Sequence, residues 1–259
     1  MSLVTVFGGS GFIGRHLVQR LAASGASVRV AVRDPINASF LKPMGDVGQV
    51  TPIYVDVHDE SSVASALAGS DAVVNLIGIL YERGTQRFDT IHRDAAARIA
   101  RAAKAAGADR LVHMSALGAS ETSQSRYAWS KAAGETAVRD AYPNAVILRP
   151  SVVFGPPMSK IHLRGSLAFV MALVRREFPV VLPMQVNIVD VRDVAEAHVR
   201  ALTQGEDAGR YLTVSGDMQF KDISLALRKA HPELKTPTFT LPYPAALVVS
   251  IFHKRLSLA

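Results

Sequence analysis

Two side chains with a clear chemical use stand four residues apart, Tyr127 and Lys131. On a helix this spacing places both on the same face. A lysine ammonium beside a phenol favours the phenolate, so we expect Lys131 to lower the pKa of Tyr127 and make it a general acid for a developing alkoxide. Ser115, at the end of a predicted strand, would donate a hydrogen bond to a substrate carbonyl. The alternative for Ser115 is an ordinary hydrogen bond at a strand end.

A glycine-rich turn near the N-terminus predicts where a dinucleotide would bind. The apolar segment Leu3 to Phe7 predicts a buried strand, and a helix with one apolar face follows from about Gly11 to Ser24. Glycines between them permit a sharp turn, a close approach of the main chain to a phosphate, and tight packing of helix on strand. The free amides of the helix N-terminus would then face a pyrophosphate, with an ordinary tight turn as the alternative. The residues assigned to this turn are Gly8, Ser10, Gly11, Phe12, Ile13 and Gly14.

The end of the second predicted strand bears on the choice of nicotinamide cofactor. A carboxylate there favours the free 2′-hydroxyl of NAD(H), whereas an arginine favours the 2′-phosphate of NADP(H). The sequence places Arg33 directly after the strand Val28 to Val32, followed by Asp34. Because a guanidinium fork suits a phosphate, we predict NADP(H) as the preferred cofactor and NAD(H) as the alternative. A solvated charge, or an ion pair between Arg33 and Asp34, is the competing interpretation.

Strand-like and helix-like segments alternate through the first 150 residues. This order predicts an α/β fold with a doubly wound parallel sheet, in which ligands bind beyond the carboxyl ends of the strands. The further predicted segments are strands at Pro52 to Val57, Ala72 to Leu76, Arg110 to Met114 and Ala145 to Leu148, and helices at Glu60 to Ala68, Phe88 to Ala106 and Tyr127 to Asp140. Asp56 and Val57 close the third strand, where the Asp56 carboxylate would reach an adenine amine or stabilise the start of the next helix.

Residues 1–150 are predicted to form the dinucleotide-binding domain, and residues 151–259 a small, shortened α+β region that binds the substrate. The predicted segments of the second region are helices at Gly165 to Glu177, Val191 to Leu202 and Phe220 to Ala230, and strands at Gln185 to Val189 and Arg210 to Val214. Leu163, Phe169, Met184 and Phe220 are candidates for an apolar substrate pocket, with ordinary core packing as the alternative.

Composition limits the kinds of protein that the chain can be. Its 259 residues, 49% of them hydrophobic, can bury one large core or a large and a small one. The absence of cysteine excludes disulfides, thiolate catalysis and cysteine-bound metals. The histidines lack ligand-like spacing, so no metal is predicted, and His92, His113 and His198 are interpreted as half-buried structural residues. The net charge of +7 is scattered along the chain, which favours a solvated surface over nucleic-acid binding.

Together these motifs resemble the short-chain dehydrogenase/reductase superfamily, in particular its extended and atypical NAD(P)-dependent epimerase/reductase branches. The resemblance covers nearly the whole chain. The motifs that carry it are the glycine turn, Asp56–Val57, the fourth-strand end with Asn75, Leu76 and Gly78, the pair Tyr127 and Lys131, and the run Arg149 to Pro156.

The resemblance implies roles for these residues. Tyr127 would be the proton donor, Lys131 would hold the nicotinamide ribose, and the backbone from Pro150 to Val153 would contact the carboxamide. Asn75 would support the fourth-strand end beside the cofactor. Tyr81, in the loop that follows, is an alternative acid or a packing residue.

The closer resemblance changes along the chain. Residues up to about Pro156 are similar to bacterial relatives of the NADPH-holding accessory subunit of respiratory complex I, in particular at Val73 to Glu82 and Ser115 to Ala119. The later part, in particular Gly155 to Lys160 and Val189 to His198, is similar to dihydroflavonol-reductase-like proteins.

From the residues and the resemblance we predict an NADP(H)-dependent oxidoreductase that transfers a hydride between nicotinamide and a small carbonyl or alcohol substrate. The alternative is a non-catalytic NADPH-binding structural or assembly protein, associated peripherally with a larger complex. The chain enters a strand almost at once, and its longest apolar stretch, Leu241 to Phe252, is too short to span a bilayer. We therefore predict a cytoplasmic protein without a transmembrane segment. The sequence leaves the substrate and the oligomeric state open.

Overall fold

The structure, a computed structural model, describes residues 2–159, 165–177 and 179–242. Its strands are β1 (Leu3–Phe7), β2 (Ser27–Val32), β3 (Val50–Tyr54), β4 (Ala72–Asn75), β5 (Arg110–Met114), β6 (Val146–Pro150), β7 (Val152–Phe154), β8 (Gln185–Asp190), β9 (Arg210–Thr213) and β10 (Gly216–Gln219). Its α-helices are α1 (Phe12–Ala23), α2 (Glu60–Leu67), α3 (Ala95–Ala105), α4 (Arg126–Ala141), α5 (Ser166–Val174), α6 (Val191–Gln204) and α7 (Phe220–Ala230). A 3₁₀ helix spans Ser39–Met44, and a π-helical turn spans Asp89–Asp94.

Seven strands form one parallel sheet in the order β3-β2-β1-β4-β5-β6-β9. β1 lies between β2 and β4, with Val6 opposite Val30 of β2 and Val74 of β4. The strand order reverses between β1 and β4, and this junction is where doubly wound folds form their ligand crevice. The predicted α/β fold with a doubly wound parallel sheet is therefore confirmed.

Apolar side chains on both faces explain why this sheet is buried. In β4, Val73 and Val74 are both buried and point to opposite faces. Val74 packs in a cluster with Leu17 of α1 and Ala195 of α6, whereas Val73 packs with Ile99 of α3. Helices therefore cover both faces, as parallel strands without a polar face require.

Two predicted elements differ in the structure. β3 ends at Tyr54 rather than at Val57, because the Asp56 carboxylate accepts a hydrogen bond from the His58 backbone N–H and turns the chain. The predicted helix from Phe88 begins as the π-helical turn and continues as α3. The 3₁₀ helix, β7 and β10 have no counterpart among the predicted segments.

The chain divides into two compact units, residues 1–158 with 189–213, and residues 159–188 with 214–259. α6 and β9 lie within the predicted second region, yet they belong to the first unit, because β9 pairs with β6 and α6 packs against α1. The domain boundary at residue 150 stays a prediction.

The second unit contains most of the predicted pocket residues. Its β10 pairs antiparallel with β8. Phe169 and Phe220 stack with ring centroids 3.9 Å apart, and Met184 is partly exposed. Leu163 lies outside the described residues, as does the apolar stretch beyond Pro242.

Candidate active site

The glycine-rich turn joins β1 to α1 in the form that a phosphate-binding turn requires. Gly8 has a φ of +79°, in the left-handed region that favours glycine. The Gly11 amide donates to Gly8 O at 3.0 Å and closes the turn. A Cβ on Gly14 would lie 2.4 Å from Gly8 O, so a side chain there would push α1 off the turn. Among the described residues no side chain caps α1, which leaves its first amides available to an anion.

The other predicted residues of the turn set its surroundings. Ser10 O accepts a hydrogen bond from Arg15 Nε at 3.0 Å. The Phe12 ring meets His16 edge-on, with centroids 6.0 Å apart. Phe12 and Ile13 also pack against the apolar cluster that contains Val153. The structure thus places Val153, the predicted carboxamide contact, beside the start of α1.

Arg33 lies exposed directly after β2, and its contact with the adenosine ribose stays a prediction. Its guanidinium has no hydrogen-bond or ion-pair partner in the part of the chain that the structure describes. Asp34 does not pair with it, because the Asp34 carboxylate accepts hydrogen bonds from the Asn37 backbone N–H at 3.0 Å and from Asn37 Nδ2 at 2.5 Å. The guanidinium of Arg33 is therefore available to an anion.

Asp56 and Val57 follow β3 at the same edge of the sheet. The N-terminus of α2 is capped by Asp59, whose side chain accepts from the Ser61 amide, so Asp56 does not serve as the helix cap. The Asp56 carboxylate instead accepts from the His58 amide at 2.9 Å. Val57 is buried, and its carbonyl accepts from Arg98 Nη1 at 2.7 Å. A contact of either residue with adenine stays a prediction.

Asn75 fixes the end of β4. Its Oδ1 accepts from the Ile77 backbone N–H at 3.0 Å, and its Nδ2 lies 3.1 Å from Nδ1 of His113 on β5. The Leu76 amide donates to Phe7 O on β1 at 3.0 Å. These bonds hold the backbone at the crevice between β1 and β4, so Asn75 acts here on the shape of the strand end.

Lys131 is the buried cation of the site. The residue is 3% exposed, and its Nζ donates to Met114 O at 2.8 Å, at the end of β5. A Cβ on Gly78 would lie 3.8 Å from this Nζ, which places the loop after β4 beside the ammonium. Burial lowers the pKa of Lys131 to about 8, and the charge of Glu135 opposes the shift. The ammonium is therefore mostly protonated at neutral pH.

Glu135, one turn further along α4, was not identified from the sequence. It is 2% exposed and forms a bidentate pair with Arg149 of β6, at 2.7 and 2.8 Å. Arg210 of β9 lies 3.1 Å from its second oxygen. These bonds join the helix that carries Lys131 to two strands. The spacing of Glu135 from Lys131 was the one signal that could have found it.

Tyr127 lies in the first turn of α4, with its ring against two others. Ring centroids lie 6.0 Å from Phe88 and 5.6 Å from His92, both edge-on. Burial raises the pKa of Tyr127. The prediction that Lys131 would lower this pKa is wrong for the chain alone, because burial removes hydration from the phenolate and raises the pKa. The phenol is therefore neutral at neutral pH.

His92, on the π-helical turn, is a site residue that sequence reasoning missed. Its Nε2 accepts from the Ile79 backbone N–H at 3.0 Å, and its Nδ1 lies 2.8 Å from Ser130 Oγ. Ser130 Oγ donates to Tyr127 O at 2.7 Å, so the proton of the imidazole must sit on Nδ1. Burial lowers the pKa of His92 to about 3. A neutral His92 thus ties the loop after β4 to the first turn of α4.

His113 and His198 are fully buried, as His92 is, so the prediction of half-buried histidines is wrong. His113 contacts Asn75, whereas His198 Nδ1 donates to Val194 O at 2.7 Å. Burial lowers the pKa of His198 to about 4 and that of His113 well below its usual range. Within the described residues no group of histidines and carboxylates could hold a metal ion.

Ser115 directly follows β5 and Met114. It is 3% exposed and its amide donates to Leu148 O at 2.7 Å, while its Oγ has no hydrogen-bond partner among the described residues. An ordinary strand-end bond from this hydroxyl is therefore absent among the described residues.

The carbonyl of Pro150 already has a hydrogen-bond partner, because it accepts from the Leu117 amide at 2.8 Å. Tyr81 is 64% exposed, which excludes a role in core packing.

The sequence matches the family described as NAD dependent epimerase/dehydratase over residues 4–214. This range includes the glycine turn, Lys131 and the main sheet except for Leu3. The chain belongs to the NAD dependent epimerase/dehydratase family. Membership indicates a nicotinamide dinucleotide as the cofactor class, which agrees with the glycine turn and the uncapped start of α1.

Relatives within and around this family include both kinds of protein that the sequence resembled. The mouse mitochondrial NADH dehydrogenase (ubiquinone) 1 alpha subcomplex subunit 9 is 34% identical over 250 residues, covering 95% of the chain and 64% of the mouse protein. A ceramide reductase of Caulobacter vibrioides is 38% identical over 155 residues, covering 60% of the chain and 47% of that protein. The dihydroflavonol 4-reductase of Zea mays is 26% identical over 272 residues, covering 90% of the chain and 76% of that protein.

These matches confirm the predicted resemblance to the epimerase/reductase branch. The chain spans less than two thirds of the length of the mouse protein. Among solved structures, Gre2 of Candida albicans in complex with NADPH aligns with a TM-score of 0.79 at 20% identity, over 96% of the chain and 89% of Gre2. This likeness supports the fold. No helix among the described residues is long and apolar enough to cross a membrane.

Proposed function

We propose that the chain is an NADP(H)-dependent oxidoreductase that transfers a hydride between nicotinamide and a carbonyl or alcohol substrate, with Tyr127 as general acid and base. The observation that carries the proposal is the group at the end of β5. The buried ammonium of Lys131 is tied to Met114 O, the Ser115 hydroxyl has no hydrogen-bond partner in the described part of the chain, and Tyr127 stands one helical turn before Lys131.

The state of each group supports reduction of a carbonyl. A nicotinamide cofactor, when bound, supplies or accepts the hydride. Tyr127 holds a proton at neutral pH because burial raises its pKa, and an alkoxide is a much stronger base than a phenolate. Tyr127 therefore donates its hydroxyl proton to the oxygen of the former carbonyl. In the reverse direction the phenolate oxygen of Tyr127 would accept the hydroxyl proton of the alcohol.

Lys131 and Ser115 hold the reacting groups in place. Lys131 uses one of its three N–H donors on Met114 O, which leaves two for the hydroxyls of the nicotinamide ribose. Its positive charge favours the phenolate that remains after Tyr127 has given up the proton. The Ser115 hydroxyl would donate to the substrate oxygen, because no protein acceptor among the described residues competes for it.

The preference for NADP(H) is supported at the other end of the site. Arg33 is exposed with no acceptor for its guanidinium in the described part of the chain, and Asn37 occupies the carboxylate of Asp34. The end of β2 therefore presents a free guanidinium, which suits a 2′-phosphate. It does not present the free carboxylate that would bind a ribose 2′-hydroxyl.

A single-turnover experiment tests the proposal. Protein loaded with NADPH is mixed with a panel of aldehydes, ketones, dihydroflavonols and oxidised sphingolipids, the last two chosen from the relatives' names, and nicotinamide fluorescence is followed. Oxidation of NADPH that is lost in Tyr127→Phe and kept in Tyr54→Phe supports the proposal. Tyr54 serves as the control because it is an exposed tyrosine on β3. Oxidation that survives Tyr127→Phe would overturn the assigned acid.

The second candidate is a non-catalytic NADPH-binding structural or assembly protein. The observation in its favour is the similarity to the mouse complex I subunit over 95% of the chain. Lys131 and the glycine turn would serve such a protein equally well. Tight retention of NADPH, with a raised Tm and no oxidation by any substrate, would favour this function over the reductase.

A further inference from the structure

Arg15 carries a charge without a counter-ion among the described residues. The residue lies in the first turns of α1 and is 8% exposed. Its Nε donates to Ser10 O at 3.0 Å, and its guanidinium carbon lies 3.8 Å from the centre of the Phe40 ring. The side chain is therefore held at two points, one on the glycine turn and one on the 3₁₀ helix after β2.

The charge of Arg15 is not neutralised within the described residues, where no carboxylate forms an ion pair with it. Burial also lowers its pKa. A buried charge without a partner is costly, and proteins usually pair such groups. Glu135 in the same unit shows the usual arrangement, with two arginines on one buried carboxylate. The exception at Arg15 indicates that the missing counter-ion is a ligand.

The way that Arg15 is held leaves suitable donors for that ligand. The Phe40 ring lies against the central carbon of the guanidinium, and the bond to Ser10 uses Nε. The two terminal amino groups have no acceptor in the part of the chain that the structure describes. They form a planar fork of the kind that binds two oxygens of one phosphate.

The position of Arg15 decides which phosphate this is. Ser10 belongs to the glycine turn, Phe40 belongs to the segment that follows β2, and Arg33 is the first residue of that segment. The amides of α1 are suited to the pyrophosphate. The end of β2 is where the adenosine ribose lies in this fold.

We propose that Arg15, stacked on Phe40, binds the 2′-phosphate of NADP(H) and contributes more to the selectivity for NADP(H) than Arg33 does. This inference rests on the proposed NADP(H) preference. Arg15 is the stronger ligand because it is already immobilised, whereas the exposed Arg33 must lose side-chain freedom on binding. The bond to the phosphate also restores the charge balance of a buried group.

Calorimetry with 2′,5′-ADP and 5′-AMP tests the proposal on the full chain, without any reaction. The two probes differ by the 2′-phosphate alone. In Arg15→Gln we expect the affinity for 2′,5′-ADP to fall about 30-fold or more, with 5′-AMP unchanged. Phe40→Leu keeps an apolar side chain without the aromatic face, and its expected loss is about 3- to 10-fold. Arg33→Ala should lower the affinity for 2′,5′-ADP less than Arg15→Gln does. Arg20 is an exposed arginine of α1, and Arg20→Gln should leave this affinity unchanged.

Each outcome supports or overturns the assignment of Arg15 to the 2′-phosphate. An equal loss for both probes in Arg15→Gln would show that Arg15 only supports the glycine turn. A larger loss in Arg33→Ala would reverse the ranking. If Arg15→Gln does not fold, Arg15→Lys retains the charge without the fork, and unchanged selectivity in that variant would overturn the proposal. A parent protein that binds both probes equally has no 2′-phosphate site, whereas a failure to reduce any substrate would leave 2′,5′-ADP binding intact.

Discussion

The two ends of the candidate site differ in how far the protein itself provides partners for their basic side chains. At the end with Lys131, the protein itself supplies partners: Lys131 bonds to Met114 O, and His92 is bonded at both ring nitrogens. At the end with Arg15 and Arg33, terminal guanidinium groups have no acceptor among the described residues. The first end has its geometry set before any ligand arrives, as a reacting centre requires. The second end depends on a ligand to complete it, which suits the choice between cofactors.

The largest expected effect distinguishes the two ends, because it changes the rate of reduction but not the affinity for NADPH. Tyr127→Phe removes the proton donor and should slow single-turnover reduction about 10²- to 10⁴-fold. The Kd for NADPH should change by less than about twofold, because Tyr127 is placed with the substrate oxygen rather than with the adenosine. Stopped-flow fluorescence gives the rate and calorimetry the Kd. A parallel loss of affinity would mean that the two ends are not separate.

Glu135→Ala tests how strongly the first end depends on its fixed charges. The change leaves the half-buried Arg149 unpaired and removes the charge that opposes the fall in the pKa of Lys131. We expect the free energy of unfolding in urea to fall by about 3–5 kcal/mol. Glu196→Ala, at an exposed salt bridge with Arg200, is the control and should cost less than about 1 kcal/mol. Similar losses in the two variants would contradict the buried network.

Gly14→Ala acts between the two ends, at the glycine turn that we expect to hold the pyrophosphate. The new Cβ would lie 2.4–2.7 Å from backbone atoms of Gly8 and Gly9, so the turn must move. We expect a loss of about 1–3 kcal/mol in stability and a weaker binding of 2′,5′-ADP and 5′-AMP alike. Gly216→Ala has open space and serves as the matched control. Unchanged binding in Gly14→Ala would mean that this turn does not hold the cofactor.

The smallest effect is a dependence of stability on pH that arises from the neutral histidines. Burial lowers the pKa of His92 to about 3 and that of His198 to about 4, from a usual value of 6.5. Below pH 6.5 the unfolded chain binds protons that the folded chain does not, so the free energy of unfolding falls as the pH is lowered. The slope is at most about 1.4 kcal/mol per pH unit for each histidine. His92→Asn should reduce the slope between pH 6 and 4.5, and an unchanged slope would show that His92 is protonated in the folded chain.

The sequence predicted the sheet well because its strands are short apolar runs buried on both faces. Val73 and Val74 illustrate the pattern, since each faces a different layer of helices. The shared helix of Tyr127 and Lys131 was also predictable from a local spacing. The direction of the Tyr127 pKa shift was not, because it depends on how much of the phenol the rest of the protein covers.

Long-range contacts account for most of what was missed. His92 enters the site through bonds to Ile79 and Ser130, and the latter is 38 residues away. Arg15 lies above Phe40, a residue on a different element. No regular spacing in the sequence predicts these contacts of His92 and Arg15, because each forms only after two elements have packed together. The charge on Arg15 and its place after the glycine turn were visible, but its burial was not.

The late position of β9 in the chain has a consequence for synthesis. β9 pairs with β6, although residues 159–188 of the other unit separate them in the sequence. A growing chain on the ribosome can therefore assemble six parallel strands while the outer edge of β6 still lacks its neighbour. During that interval the unpaired backbone of β6 is open to other chains, and Glu135 has Arg149 but not yet Arg210. The last strand of the seven-stranded sheet to be made is thus the one that covers the edge of β6.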